Sequence, residues 1–245
     1  MLKTIALFLA TSFMCNVTAA ESFDWSTFDS LLKNHVKSGA YQSVQANLVD
    51  YDALRNDSSF KTIGQQLAQY NPTALSGNDK LVYYINAYNY FAIKIVLDNW
   101  PVDGIKDIGS LFKPVWKREA GKINGRAVTL DEIEHKILRP MGEPRVHFAI
   151  VCASMSCPDL RTEAYRAETL DQQLSDQAQT FLSNTTKGAA LKNGKLYLSE
   201  IFDWFEEDFS KVGGIYAFID NYNPALENFE DFEIIPYNWE LNRQR

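Results

Sequence analysis

Histidine and cysteine are scarce in this chain of 245 residues, three of each. Basic residues are also few, 24 Lys and Arg against 31 Asp and Glu for a formal net charge of -7, so nothing can neutralise a run of phosphates. That balance excludes nucleic acid and anionic membrane surfaces as partners. Beyond the first twenty residues no apolar run is long enough to span a bilayer, so no integral membrane span is expected in the rest of the chain. Internal repeats and low-complexity linkers are absent too, which excludes a solenoid and favours one compact unit. Against this poverty, four of the six His and Cys residues gather between 134 and 158, in EHKILRPMGEPRVHFAIVCASMSCP.

The opening MLKTIALFLATSFMCNVTAA has one early charge, Lys3, an apolar run from Ile5 to Met14, and small residues at its end. This is the pattern of a secretory signal peptide, expected over residues 1–20, with a single domain over 21–245 and an exported protein, periplasmic or secreted. Cys15 follows the bulky Phe13 and Met14 rather than the small residues of a lipid-acceptor site, so it is expected to leave with the leader. Cys152 and Cys157 then remain in an oxidising compartment, compatible with one disulfide or with a protected functional thiol.

Along the chain, Phe28, Leu31 and Leu32 share one helical face, with His35 near the helix end as a surface residue. VQANLVDYDAL reads as a strand turning into a helix, and Phe60 to Tyr70 as a helix stopped by Asn71-Pro72. Residues 79–99, DKLVYYINAYNYFAIKIVLDN, form the most hydrophobic helix, apolar around most of its circumference and therefore buried. Asn86 and Asn89 sit three apart on it, and a buried amide without partners costs about 1–3 kcal/mol. They either brace a loop or line a site. Asn124-Gly125 and Asn193-Gly194 mark two hairpins. Thr129 with Glu132 makes a capping box, opening a helix whose apolar stripe includes Glu134 and leaves His135 at its edge. Glu134 is thus the candidate for a buried carboxylate with a shifted pKa. Leu170 to Leu182 forms an amphipathic helix, Ser199 caps EIFDWFEEDF, Ile215 to Tyr222 is helical, and FEIIPYNWEL is a terminal strand.

VHFAIVCAS reads as a central strand, apolar on both faces. In such a strand His147 and Cys152, five residues apart, point to opposite faces about 16 Å from each other. A bend before Cys152, or delivery of His135 from the preceding helix, is then needed to give Cys152 an imidazole. The elements together predict an α+β fold: a single domain with a mixed sheet, two hairpins packed against a long buried helix, and several amphipathic helices.

YINAYNYFAIKIVL, Glu134-His135 in TLDEIEHKILR, HFAIVCASMSCP and FDWFEEDF, in this order, resemble the domain-of-unknown-function 547 family, from about Asn78 to Phe209. Its members include exported bacterial proteins, and plant and animal proteins in which the domain can follow a glutaredoxin-like module. That module is missing here. The resemblance points to Asn86, Asn89, Glu134, His135, His147, Cys152, Cys157 and Asp203 without fixing a reaction.

The first functional expectation is a cysteine-dependent hydrolase or acyl transferase acting on a small molecule or peptide, with no cofactor. Its catalytic groups would come from Cys152 or Cys157, His135 or His147, and Glu134 or Asp203. Asn86, Asn89, Asp203 and Trp204 would bind substrate, the amides serving as oxyanion donors. The alternative is a structural or redox disulfide between Cys152 and Cys157 beside a binding cleft, without hydrolysis. Zinc held by the same His and Cys residues matches no common spacing. Nothing in the sequence sets the oligomeric state.

Overall fold

The computed structural model describes residues 22–110, 112–226 and 231–245. The expected signal peptide and Cys15 lie outside them. Helix α1 (Ser26–His35) leads into the hairpin β1 (Val36–Tyr41) and β2 (Val44–Val49), then α2 (Tyr51–Asn56), α3 (Ser58–Gln69) and α4 (Gly77–Asp98). Hairpin β3 (Gly121–Ile123) and β4 (Arg126–Val128) precedes α5 (Leu130–Glu132), which widens into a π-helical turn, Ile133–Leu138. After α6 (Val146–Ala149) come α7 (Leu170–Ser183), β5 (Ala189–Lys192), β6 (Lys195–Ser199), α8 (Glu200–Trp204), α9 (Glu206–Ser210), α10 (Ile215–Tyr222) and β7 (Phe232–Ile235). The expected α+β class is therefore the one observed. Its mixed sheet is β5-β6-β7, antiparallel at the first pairing and parallel at the second.

Among the described residues, α4 is the organising element. Its apolar side chains face all directions, and Val82, Ile85, Ala87, Phe91, Ile95 and Val96 are buried on its different sides. Such a helix is stable only when surrounded, and α1, α3, the β3–β4 hairpin and the π turn share its core. The hairpin approaches so closely that a Cβ at Gly121 would collide with the Phe91 ring. Both Asn-Gly turns have positive φ at their two residues, as expected for tight hairpins. A second core lies between α7, the β5–β6 hairpin and α8 to α10.

Residues 146–154 do not form the expected strand. Val146–Ala149 is one helical turn and the chain becomes extended at Ile150. The turn presents Phe148 to the second core, against Phe181, Phe202 and Phe218 at 5.3, 5.8 and 5.5 Å between ring centroids. Val146, Ala149 and Ile150 join the first core instead. Burying a Phe is worth about 1.5–3 kcal/mol, so this short segment ties the two cores together. The bend also removes the obstacle that a straight strand would place between His147 and Cys152.

The chain past β7 closes the fold by isolated bridges rather than as one long terminal strand: Glu240 pairs with Gly104, Leu241 with Ser154 and Arg243 with Val49. Among the described residues no helix is long and apolar enough to cross a membrane.

Candidate active site

A cleft of about 250 Å³ opens where the two cores meet. Its lining comes from distant parts of the chain: Tyr88 of α4, Trp116, Glu134 and His135 of the π turn, His147, Ile150, Cys152, Cys157 and Pro158. Ile201, Trp204 and Phe205 of the α8 region and Tyr237 and Trp239 of the C-terminal segment complete it. Both cysteines, both expected histidines, Glu134 and Trp204 are thus brought to one place.

The cysteine loop is held by the C-terminal segment. Met155 N–H donates to Glu240 C=O at 2.8 Å, Ser156 N–H to Asn238 C=O at 3.2 Å, and Asn242 N–H to Ala153 C=O at 3.0 Å. These bonds stabilise Ala153 in the left-handed region, φ 62°, where a residue with a Cβ is strained. Cys152, half-buried, has its Sγ 3.0 Å from the Ser154 hydroxyl and 3.4 Å from that of Tyr237. Its backbone N–H donates to the Sγ of Cys157 at 2.9 Å. Both cysteines are free thiols. The hydrogen bond from the Cys157 thiol, aided by Ser154 and Tyr237, outweighs burial and brings Cys152 down from 9.0 to about 6. Burial and the adjacent Cys152 sulfur push Cys157 well above its usual range. The environment therefore divides two identical side chains into one thiolate former and one thiol.

The acid facing the imidazole is Asp208, not Asp203. Asp203 is exposed and does not line the cleft. His147 Nε2 lies 2.9 Å from Asp208 Oδ2, and the imidazole stacks on Phe205 at 3.8 Å. Arg139 Nε donates to the same carboxylate oxygen at 2.6 Å, and Lys211 Nζ to the other oxygen at 2.9 Å. Burial works to raise the Asp208 carboxyl, but hydrogen bonds from Arg139, Lys211 and His147 prevail and hold it well below the usual carboxylate range. Burial pushes His147 down from 6.5 to about 4 despite that partner. A neutral His147 donating through Nε2 to Asp208 leaves Nδ1, buried and without a hydrogen-bond partner, as an open acceptor.

The π turn sets the third side. Glu134 is buried and accepts a hydrogen bond from Tyr88 at 3.2 Å. Burial, opposed by that bond and reinforced by Cys152, raises its carboxyl from 4.5 to about 7. Glu134, expected to be a buried carboxylate, is buried, and its shift is upward, opposite to that of Asp208. His135 is exposed, with Nδ1 3.0 Å from Arg139 Nη1, and burial of part of its ring lowers its pKa.

Asn86 and Asn89 are braces rather than cleft residues. Asn86 donates to Tyr165 C=O and accepts from Tyr165 N–H, both at 3.0 Å. Asn89 donates to Ala149 C=O and accepts from Val151 N–H, both at 2.9 Å, pinning the chain just before Cys152. With both amide ends committed to backbone, neither lines the cleft. Among the described residues no group of three or more His, Cys, Asp or Glu side chains is placed to hold a metal ion.

Sequence reasoning overlooked Asp208, Tyr237 and Trp239. A local signal existed for the first only: Phe205, Asp208 and Phe209 fall at the i, i+3, i+4 spacing of one helical face. No curated protein and no solved structure matches the chain. A family model does match, that of the protein of unknown function, DUF547, over residues 72–182. Trp204, Asp208, Tyr237 and Trp239 lie beyond its end. The matched stretch holds Asn86, Asn89, Glu134, His135, His147, Cys152 and Cys157, and over it the chain is similar to the DUF547 family, as its residues imply.

Proposed function

We propose that the protein is a thiol-dependent acyl transferase or hydrolase with Cys152 as nucleophile. The observation that carries this reading is a thiol favoured as thiolate, in one cleft with a carboxyl that keeps its proton near neutrality and an imidazole that has lost its own. These are the nucleophile, acid and base that acyl transfer needs.

In the first half-reaction the Cys152 thiolate attacks the substrate carbonyl carbon; the C–S bond forms as the C=O π pair moves to oxygen. Collapse of this intermediate breaks the bond to the leaving group, which takes the proton of Glu134. The product is a thioester on Cys152 and a Glu134 carboxylate. In the second half, water or an acceptor amine or alcohol attacks the thioester. Its proton passes to His147 Nδ1, whose cation is stabilised by Asp208, and the Cys152 thiolate leaves. Transfer of a proton from His147 to Glu134, directly or through water, resets the site. Tyr237, whose hydroxyl lies 3.4 Å from the sulfur, would donate to the developing oxyanion.

The test is hydrolysis of p-nitrophenyl esters and acyl thioesters by the full chain. Cys152→Ala abolishes turnover, whereas Cys157→Ala reduces it; equal turnover by wild type and Cys152→Ala contradicts the proposal.

A second reading is favoured by the contact between Cys152 N–H and the Cys157 sulfur. The thiolate and thiol together give up two electrons and one proton to a disulfide or peroxide oxidant, forming one S–S bond. Thiol titration of the unfolded protein before and after reduction distinguishes them: an unchanged count favours the acyl reading, and two thiols gained on reduction favour the redox one.

A further inference from the structure

The cleft places its reactive groups against a lip that carries almost no charge. Three of the chain's five tryptophans line it, Trp116, Trp204 and Trp239. Trp204 stacks on Trp239 at 5.7 Å and an interplanar angle of 23°, and Trp239 meets Trp116 edge-on at 5.7 Å. This shelf is left open, since Trp204 is 41% exposed. Large exposed apolar surface beside a reactive centre marks a ligand surface.

The polar groups of the cleft narrow the ligand further. Among the described residues no Lys, Arg or Asp lines it. Arg139, behind it, is bound to Asp208 and His135, and Lys106 Nζ rests 4.2 Å from the Trp239 ring centroid. Among the described residues, a carboxylate or phosphate entering the cleft meets no Lys or Arg in its lining, and Lys106 reaches only the far rim at Trp239. A sugar would cover the tryptophan faces but needs hydrogen-bond partners for its hydroxyls at their edges, and the polar side chains are gathered instead around the sulfur.

Resting on the proposed acyl chemistry, we infer that the group transferred is an uncharged aliphatic acyl chain, its carbonyl at Cys152 and its methylenes along Trp204 and Trp239 between Ile150 and Ile201. Each methylene removed from water then tightens binding about three- to fourfold until the shelf is filled.

Neutral methyl ketones mimic the acyl carbonyl without a leaving group. Calorimetric titration of the full-length Cys152→Ala protein with 2-butanone, 2-hexanone, 2-octanone and 2-decanone is expected to show affinity rising with length. Trp204→Ala, an exposed change, is expected to flatten that rise. The same series of p-nitrophenyl esters on the wild type should show kcat/KM following the ketone affinities. Length-independent ketone binding, or tighter binding of a short oligosaccharide or an acidic peptide than of 2-decanone, overturns the inference even where Cys152-dependent turnover is present. Length-dependent ketone binding without Cys152-dependent turnover leaves the ligand class standing and removes the acyl-transfer reading instead.

Discussion

The backbone N–H of Cys152 donates to the sulfur of Cys157 at 2.9 Å, so the second cysteine shapes the first without a covalent bond between them. Cys157 is buried and stays a thiol, while the charge of the pair settles on the half-buried Cys152. A turn with a left-handed Ala153 brings the later sulfur back to the earlier amide.

Replacing Cys157 should therefore change its neighbour. Cys157→Ala removes the hydrogen bond that most favours the thiolate, and alkylation of Cys152 near pH 6 should slow by about five- to tenfold. It also leaves the Cys152 N–H buried without a partner, at a cost of about 1–3 kcal/mol in urea denaturation. Unchanged alkylation would mean that Ser154 and Tyr237 suffice.

Asp208 joins Arg139, Lys211 and His147 through one carboxylate. Asp208→Ala should destabilise the fold by about 3 kcal/mol, because a buried carboxylate with several partners is removed and those partners are left facing one another. Asp208→Asn keeps an acceptor for His147 and should fold better, yet lose most acyl-transfer activity since the imidazolium is no longer neutralised. Denaturation midpoints and initial rates of the two variants separate these effects.

Asn89 provides a contrast between positioning and binding. Asn89→Ala should cost about 2–4 kcal/mol, from two backbone groups left unpaired near Ala149 and Val151. Any loss of activity should appear in kcat rather than KM, since the amide does not face the cleft. A raised KM with undiminished stability would restore Asn89 to the substrate site.

Several features were legible in the sequence for physical reasons. An α4 apolar on every side must be buried, and Asn-Gly pairs accept the positive φ of tight turns. Glu134 within an apolar stripe predicts a shifted carboxyl, and the π turn keeps it buried beside His135. Strand β2 is legible in VQANLV, but its pairing with β1 is not, because Gln42 and Ser43, not Asn or Gly, occupy the positive-φ positions of the turn. The segment 146–154 is ambiguous in the sequence because a short run apolar on all sides has no period by which a strand differs from one helical turn with an extended tail. Tyr237 and Trp239 could not be foreseen: they reach the cysteine loop from about eighty residues away, through backbone bonds that any side chains could accompany.

The pH dependence of stability divides between Glu134 and His147. Glu134 is raised from 4.5 to about 7, so its contribution is present below pH 4.5 and is lost as pH rises through 7. His147 is lowered from 6.5 to about 4, so its contribution is present above pH 6.5 and is lost as pH falls through 4. Between about pH 4.5 and 6 these two slopes oppose, and the lowered His135 adds to the rise with pH. Glu134→Gln leaves the His147 slope, a rise of about 2 kcal/mol over that window. His147→Gln leaves the opposite slope. Denaturant melts across the window check both signs.

The most direct test is the rate of iodoacetamide alkylation of each cysteine in the native protein as a function of pH, followed by mass spectrometry of its peptides. Cys152 should react alone, with a midpoint near 6, while Cys157 stays unmodified through neutral pH. Equal, slow reaction of both thiols with a midpoint near 9 would contradict an activated nucleophile at Cys152 and the acyl chemistry built on it.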